Sequence, residues 1–493
     1  MIQTFVGAAS GHRALAAALL LAGCAVGPNY ARPSAPGAAH YKELAGWTVA
    51  HPAEIRPVAW WSIYDDPTLD RLEKQVVISN QTIRASAAAY AEARALVTEA
   101  RAGFYPTLGA NAGVERQSGG RGEFGGASGF SGQPETLTTY TLEGSGAWDL
   151  DLWGKIRRQV QSSVAAAQAS AADLAAATLS AQAALASDYF QMRAADALEK
   201  LLVDTVTAYR RSLQITENQA AVGVAAQSAV LAAEVQVRNA EASRIASGVA
   251  RAEFEHAIAV LIGKAPSELA LPPAPLAAVV PVVPAGVPST LLERRPDIAA
   301  AERTVAEQNA EIGVEVAAFY PDVNLSALFG YVGNPVGSLI NVANRVWSLG
   351  AAATENVFVG GARTAAVEAS RAVYDQAVAN YRETVLTAFQ GVEDQLSSLH
   401  ILAEEAKAED AAVVAGKQSV AITLNEFEAG TVAYTAVVIA QAALLADQET
   451  QLTIQQNRLL ASVSLIENLG GGWSTAELPS PAELEKSNPL LPN

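Results

Sequence analysis

Two periodicities take turns along this chain. From 374 to 399 the apolar residues Tyr374, Val378, Tyr381, Val385, Phe389, Val392, Leu396 and Leu399 recur at spacings of three and four. That spacing predicts a long helix with a coiled-coil-like seam. Elsewhere the period drops to two. Leu108, Ala110, Ala112 and Val114 alternate with Thr107, Gly109, Asn111 and Gly113, and Val323, Leu325, Ala327 and Phe329 alternate with Asp322, Asn324 and Ser326. Tyr140, Leu142, Trp148 and Leu150 likewise oppose Thr139, Thr141, Glu143 and Asp149. Strands with one oily and one wet face suit a soluble two-sided sheet or, at about ten residues each, a transmembrane barrel. Where helix gives way to strand the chain twice reads Phe-Tyr-Pro, so Pro106 and Pro321 are predicted to mark helix-to-strand junctions.

This recurrence belongs to an internal repeat. Setting Phe104 on Phe319 aligns "NQTIRASAAAYAEARA" (80–95) with "RPDIAAAERTVAEQNA" (295–310) at an offset of 215. Further on, Gly154, Gly223 and Gly263 fall on Gly361, Gly430 and Gly470 at an offset of 207, so the second copy is eight residues shorter. The loss lies between Pro106 and Gly154, an interval holding the loop "SGGRGEFGGASGFSGQP", and loops tolerate such changes. Of 22 prolines, none lies between Pro134 and Pro266 or between Pro335 and Pro479, which leaves room for long helices. Gly154 to Gly223 alone allows roughly 100 Å of helix at ~1.5 Å per residue.

The predicted organisation is a leader (1–23), an N-terminal arm (24–66) and a first repeat (67–263), with strands at about 105–117 and 137–151 and a hairpin tip near 223. A proline-rich linker (264–288), a second repeat (289–470) with strands at about 321–333 and 344–357 and a tip near 430, and a tail (471–493) complete it. The fold class is mainly α with transmembrane β. Two repeats supply four strands, whereas a barrel in lipid has no free edge and small natural barrels need about eight. Several copies must therefore contribute strands to one barrel.

Half of the residues are hydrophobic, enough for a large core, and the net charge of −17 argues against a nucleic-acid surface. Cys24 is the only cysteine, so neither an intramolecular disulfide nor a Cys-ligated zinc site can form. It follows an apolar run, residues 14–22, with the length of a signal-peptide h-region. "LAGC" looks like a lipobox, which would make Cys24 an acylated first residue; Ala25 after it favours the outer membrane. The alternative is a buried free cysteine. "GRGEFG" (120–125) fits the dinucleotide fingerprint formally but opens no helix. His256 near Glu253 and Glu255, and His400 near Glu404, are solvated helical positions, and no metal, cofactor or catalytic group is expected.

Several motifs together resemble the TolC-like outer membrane factors, specifically the NodT-type efflux lipoproteins. They are "LAGCAVGPNYARP" (21–33), "WWSIYDDPTLDRL" (60–72), "WDLDLWGKIRR" (148–158), "LLERRPDIAAAER" (291–303), "FYPDVNLS" (319–326), "VGGAR" (359–363) and "ENLGGGW" (467–473). The resemblance implies a homotrimer in which a twelve-stranded outer-membrane barrel continues as a helical tunnel across the periplasm. It also implies two partners: a periplasmic adaptor and an inner-membrane pump, often of the resistance-nodulation-division type. Such a chain is a passive exit duct and not an enzyme. A type I protein-secretion duct and a periplasmic lipoprotein scaffold without a channel stand as alternatives.

The turns opposite the strands, "AVGVAAQSAV" (221–230) and "AGTVAYTAVV" (429–438), are the predicted gate and adaptor-docking tips. Gly223 and Gly430 relieve a tight turn, and small neighbours let another protein's hairpin approach closely; Gln227, Ser228 and Thr435 are counted among the tip residues. In relatives, charged residues just past these glycines tie the tunnel shut. Here no charge occurs between Glu217 and Glu234 or between Glu428 and Asp447. Phe427, Tyr434 and Gln227 are therefore expected to narrow the mouth by packing and neutral hydrogen bonds.

Overall fold

The computed structural model describes residues 25–37, 41–43, 59–118, 136–281, 283 and 294–486; Cys24, the leader and the loop with residues 120–125 lie outside them. After a leading helix, α1 (Pro67–Ser79), one unit occurs twice. The first copy is α2 (Gln81–Ala102), β1 (Thr107–Ser118), β2 (Thr136–Leu150), α3 (Lys155–Ala221) and α4 (Gln227–Leu261). The second is α5 (Pro296–Ala317), β3 (Asp322–Gly333), β4 (Arg345–Thr354), α6 (Ala362–Glu428) and α7 (Tyr434–Asn468). Corresponding helices have the same lengths of 22, 67 and 35 residues. At ~1.5 Å per residue α3 and α6 each run about 100 Å.

Local chemistry fixes the helix starts. The Asp66 carboxylate accepts from the N–H groups of Thr68 and Leu69 ahead of Pro67, and Asn80 does the same for Thr82 and Ile83. Pro296 opens α5. The seam read from the sequence is internal: Tyr381, Val385, Val392, Leu396 and Leu399 are buried, with Tyr374, Val378 and Phe389 partly so. The largest apolar cluster gathers Leu69, Leu72, Val76, Leu185, Tyr189, Phe190, Leu459 and Leu465 from α1, α3 and α7.

Both repeats close on the same joint at this level. At the end of α4 a side chain on Gly263 would collide with the Ser79 carbonyl oxygen, and one on Gly470 after α7 would collide with that of Arg294. The Asn80 amide donates to the Leu261 carbonyl (2.9 Å), while Arg295, the equivalent residue, donates to the Asn468 carbonyl (3.0 Å). Each bond satisfies a carbonyl that a helix end leaves without an internal partner.

The four strands form one antiparallel sheet in the order β1-β2-β3-β4. Ala110 pairs with Gly144, Gly144 with Phe329 and Phe329 with Trp347, so these residues share a face. That face also carries Leu108, Val114, Leu142, Trp148, Leu325 and Leu349. Glu115, Glu143, Asp149 and Asp322 stand on the other, where Asn324 donates to Asp149 (2.7 Å). β1 and β4 each keep one edge without a strand partner among the described residues.

Candidate functional site

Two places carry the functional geometry: the junctions where helices meet the sheet, and the hairpin tips some 100 Å away along α3 and α6. Pro106 and Pro321 immediately precede β1 and β3. Each Phe-Tyr-Pro turn is held by an indole: Trp148 Nε1 donates to the Phe104 carbonyl (3.0 Å) and Trp153 Nε1 to that of Pro321 (2.9 Å). Trp153 also stacks on Tyr320 with ring centroids 4.8 Å apart. Tyr105, Phe319 and Tyr320 remain exposed, so these rings and two hydrogen-bonded indoles gather where the apolar face of the sheet ends. Such amphipathic rings favour a membrane–water boundary.

The N-terminal arm starts at this same junction. Val26 N–H donates to the Trp153 carbonyl (3.0 Å), and the buried Arg158 guanidinium donates to the Val26 and Gly27 carbonyls (both 3.1 Å). Further contacts lead it away from the sheet: Asn309 donates to Pro28 (3.2 Å), Tyr30 bonds Glu302, and Arg382 donates to Ser34 (3.1 Å). No feature of the sequence pattern announces this path.

At the tips the backbone is duplicated. Gly223 and Gly430 have φ of 78° and 72°, a region where L side chains are strained, and nothing lies near either Cα hydrogen. The N–H after each glycine closes the turn in the same way, Val224 onto Gln219 and Thr431 onto Glu426, both at 2.9 Å. Gln227, Ser228 and Thr435 are exposed in the first turns of α4 and α7.

Phe427 and Tyr434 lie elsewhere than expected. Both are 4% exposed, packed on each other at 5.2 Å between ring centroids and against Ala233 of α4 and Val437. In the protomer they pin the second hairpin to the first and present no side chain to an opening. Burial pushes the Tyr434 phenol up to about 12, so its hydroxyl stays a neutral donor, and it points at Gln236 Oε1 (3.2 Å).

Three further bonds between the hairpins were not foreseen. Gln219 donates to the Phe427 carbonyl (3.0 Å), Gln441 donates to Ser212 Oγ (2.8 Å), and Tyr209 donates to the Gln441 carbonyl (3.3 Å). A signal for them existed: Thr205, Tyr209, Ser212 and Thr216, spaced four, three and four, form a buried hydroxyl stripe on α3. The Thr205, Ser212 and Thr216 hydroxyls bond carbonyls one turn back in their own helix. Every bond named between the two tips is uncharged.

Among the described residues no group of three or more His, Cys, Asp or Glu side chains could hold a metal, and no helix is long and apolar enough to cross a membrane. The family model for outer membrane efflux proteins matches residues 72–264 and 287–471, one segment on each repeat. The chain belongs to this family. A probable efflux pump outer membrane protein of Pseudomonas putida, TtgC, is 28% identical over 460 residues, covering 92% of this chain and 94% of its own. The outer-membrane channel OprN superposes with a TM-score of 0.85 at 30% identity, over 91% of this chain and all of that one. The CmeC outer membrane channel of Campylobacter jejuni shares the fold (TM-score 0.86, 21% identity, 92% and 96% covered).

Proposed function

We propose that this outer-membrane efflux protein is the passive exit duct of a tripartite pump, working as a homotrimer whose twelve strands close one barrel. The observation that carries this reading is the sheet: four strands, two open edges, and charge sorted by face. Each unpaired backbone group in hydrocarbon costs several kcal/mol, so β4 of one copy must meet β1 of another. The acids then line the lumen, and α3, α4, α6 and α7 continue it as a periplasmic tunnel. An adaptor docks on the exposed tip residues Gln227, Ser228 and Thr435, and an inner-membrane pump of the resistance-nodulation-division type delivers small molecules. The chain itself catalyses nothing.

Acylation of Cys24 adds an anchor at the membrane surface. Ala25, the next residue, lies against Gly154 at the base of the sheet, which supports this placement. Paired cysteines engineered on the outer edges of β1 and β4 test the assembly. Trimers linked through these edges in membranes, together with conductance in planar bilayers, are expected; monomers released in soluble form by Cys24→Ser contradict the reading.

A further inference from the structure

The two faces of the sheet segregate charge completely among the described strand residues. All four carboxylates, Glu115, Glu143, Asp149 and Asp322, are on the polar face, and both arginines, Arg116 and Arg345, are on the apolar one. Both arginines are exposed, and neither has an ion pair or hydrogen bond among the described residues. Arg345 pairs with Tyr331, Tyr331 with Leu142 and Leu142 with Ala112, a row near the hairpin loops and far from the helices. Arg116 stands beyond that row, opposite Thr138.

Next to the Arg345 row lies a groove of about 580 Å³. Leu108, Phe329, Trp347 and Leu349 wall it, and Gly144 and Gly146 leave its floor without side chains. Trp347 is two residues from Arg345 on the same strand, ~7 Å away. From Arg345 to Ala353, the end of the apolar face, is roughly 27 Å along β4, or about 20 Å across the membrane at a tilt of ~40°. An apolar band is about 25 Å tall, so Arg345 stands at its outer rim, where a guanidinium can stay hydrated or meet an anion.

We propose that this face seats a phosphorylated glycolipid of the outer leaflet. Its phosphate sits on the Arg345 guanidinium, with Tyr331 beside it, and an acyl chain lies in the glycine-floored groove. Arg116 offers a second cation at the rim. The inference rests on the barrel reading, which puts the apolar face in lipid and the loop end outside. Charge complementarity selects the headgroup, since among the described strand residues no carboxylate shares this face, and guanidinium–phosphate pairing is bidentate.

Native mass spectrometry of the purified full-length protein tests it, with bisphosphorylated lipid A, its dephosphorylated form and phosphatidylglycerol as probes. The parent should retain the bisphosphorylated lipid roughly tenfold better than the dephosphorylated one, and Arg345→Gln should remove most of that preference. Gly146→Leu, filling the groove beneath Leu108, should weaken lipid A with or without phosphates. Equal retention of both forms by the parent, or an unchanged preference in Arg345→Gln, overturns the proposal. Phosphatidylglycerol retained as well as lipid A overturns the assignment to a glycolipid. Bilayer conductance of the same preparation separates the two readings: a conducting protein without lipid preference overturns this inference alone, and a non-conducting one overturns the duct.

Discussion

The first and second hairpin tips share a backbone and diverge in their side chains, two of which decide how each tip packs. Both turn on a left-handed glycine, and both restart a helix after an alanine in extended conformation, Ala226 and Ala433. At the offset of 207, however, Ala220 and Gln227 of the first tip stand where the second has Phe427 and Tyr434. The first tip therefore exposes small, polar positions, while the second drives an aromatic pair against Ala233 of its neighbour. Duplication supplied one turn twice, and side-chain divergence gave each copy its own task. The first leaves its side chains on the surface; the second holds the hairpins together.

The largest effect should follow from removing the wedge. Phe427→Ala empties a buried site and should cost about 3–5 kcal/mol of local stability, whereas Gln227→Ala, fully on the surface, should stay within about 0.5 kcal/mol. Hydrogen exchange across 424–438 reads the first and thermal melting of the purified protein the second. Comparable losses in both variants would erase the distinction between the tips.

Much of this was legible because it is local. Proline-free stretches, the glycines at 154, 223, 361 and 430, and the period-two runs around Leu108 and Val323 each impose backbone geometry on their own neighbours. The packing of Phe427 and Tyr434 was not legible: a heptad-like pattern marks a residue as apolar without saying whether it faces a tunnel or a neighbouring helix. Gln219 and Gln236 look like any solvated helical glutamine until the other hairpin lies alongside. The arm was opaque for the same reason, since Gly27 and Gly313 touch across 286 residues with no periodicity to link them.

Neutral tips also predict where pH matters. Burial holds the Tyr434 phenol near 12, so closure should not change between about pH 5 and 9. Titration is expected at Glu73 of α1, fully buried with both carboxylate oxygens unpartnered and its pKa pushed up to about 9 by burial. The folded state keeps that proton while the unfolded chain releases it above about 4.3, so stability present at low pH is lost as pH rises toward 9. At pH 7 the loss is about 4 kcal/mol. Melting the parent and Glu73→Gln at pH 5 and pH 8 checks this: the parent should lose more Tm than the variant. Parallel losses would place the titrating group elsewhere.

A smaller effect should be equal at the two tips. Gly223→Ala and Gly430→Ala each force a side chain into the left-handed region at about 1–2 kcal/mol, with no neighbour near either to make them differ. Melting or exchange data in which one variant is silent would mean that assembly remodels that turn.

Single-channel conductance in planar bilayers addresses the central claim, that a duct is held closed at its tips by uncharged contacts. A tenfold rise in salt shortens the screening length from about 10 Å to 3 Å and would open a gate made of exposed ion pairs. Phe427→Ala and Tyr434→Ala should each raise conductance more than that salt change does in the parent, after correction for bulk conductivity. A parent that opens with salt while both variants conduct as it does would contradict the account and move the constriction to Glu217, Glu426 and Glu428, the carboxylates flanking the turns.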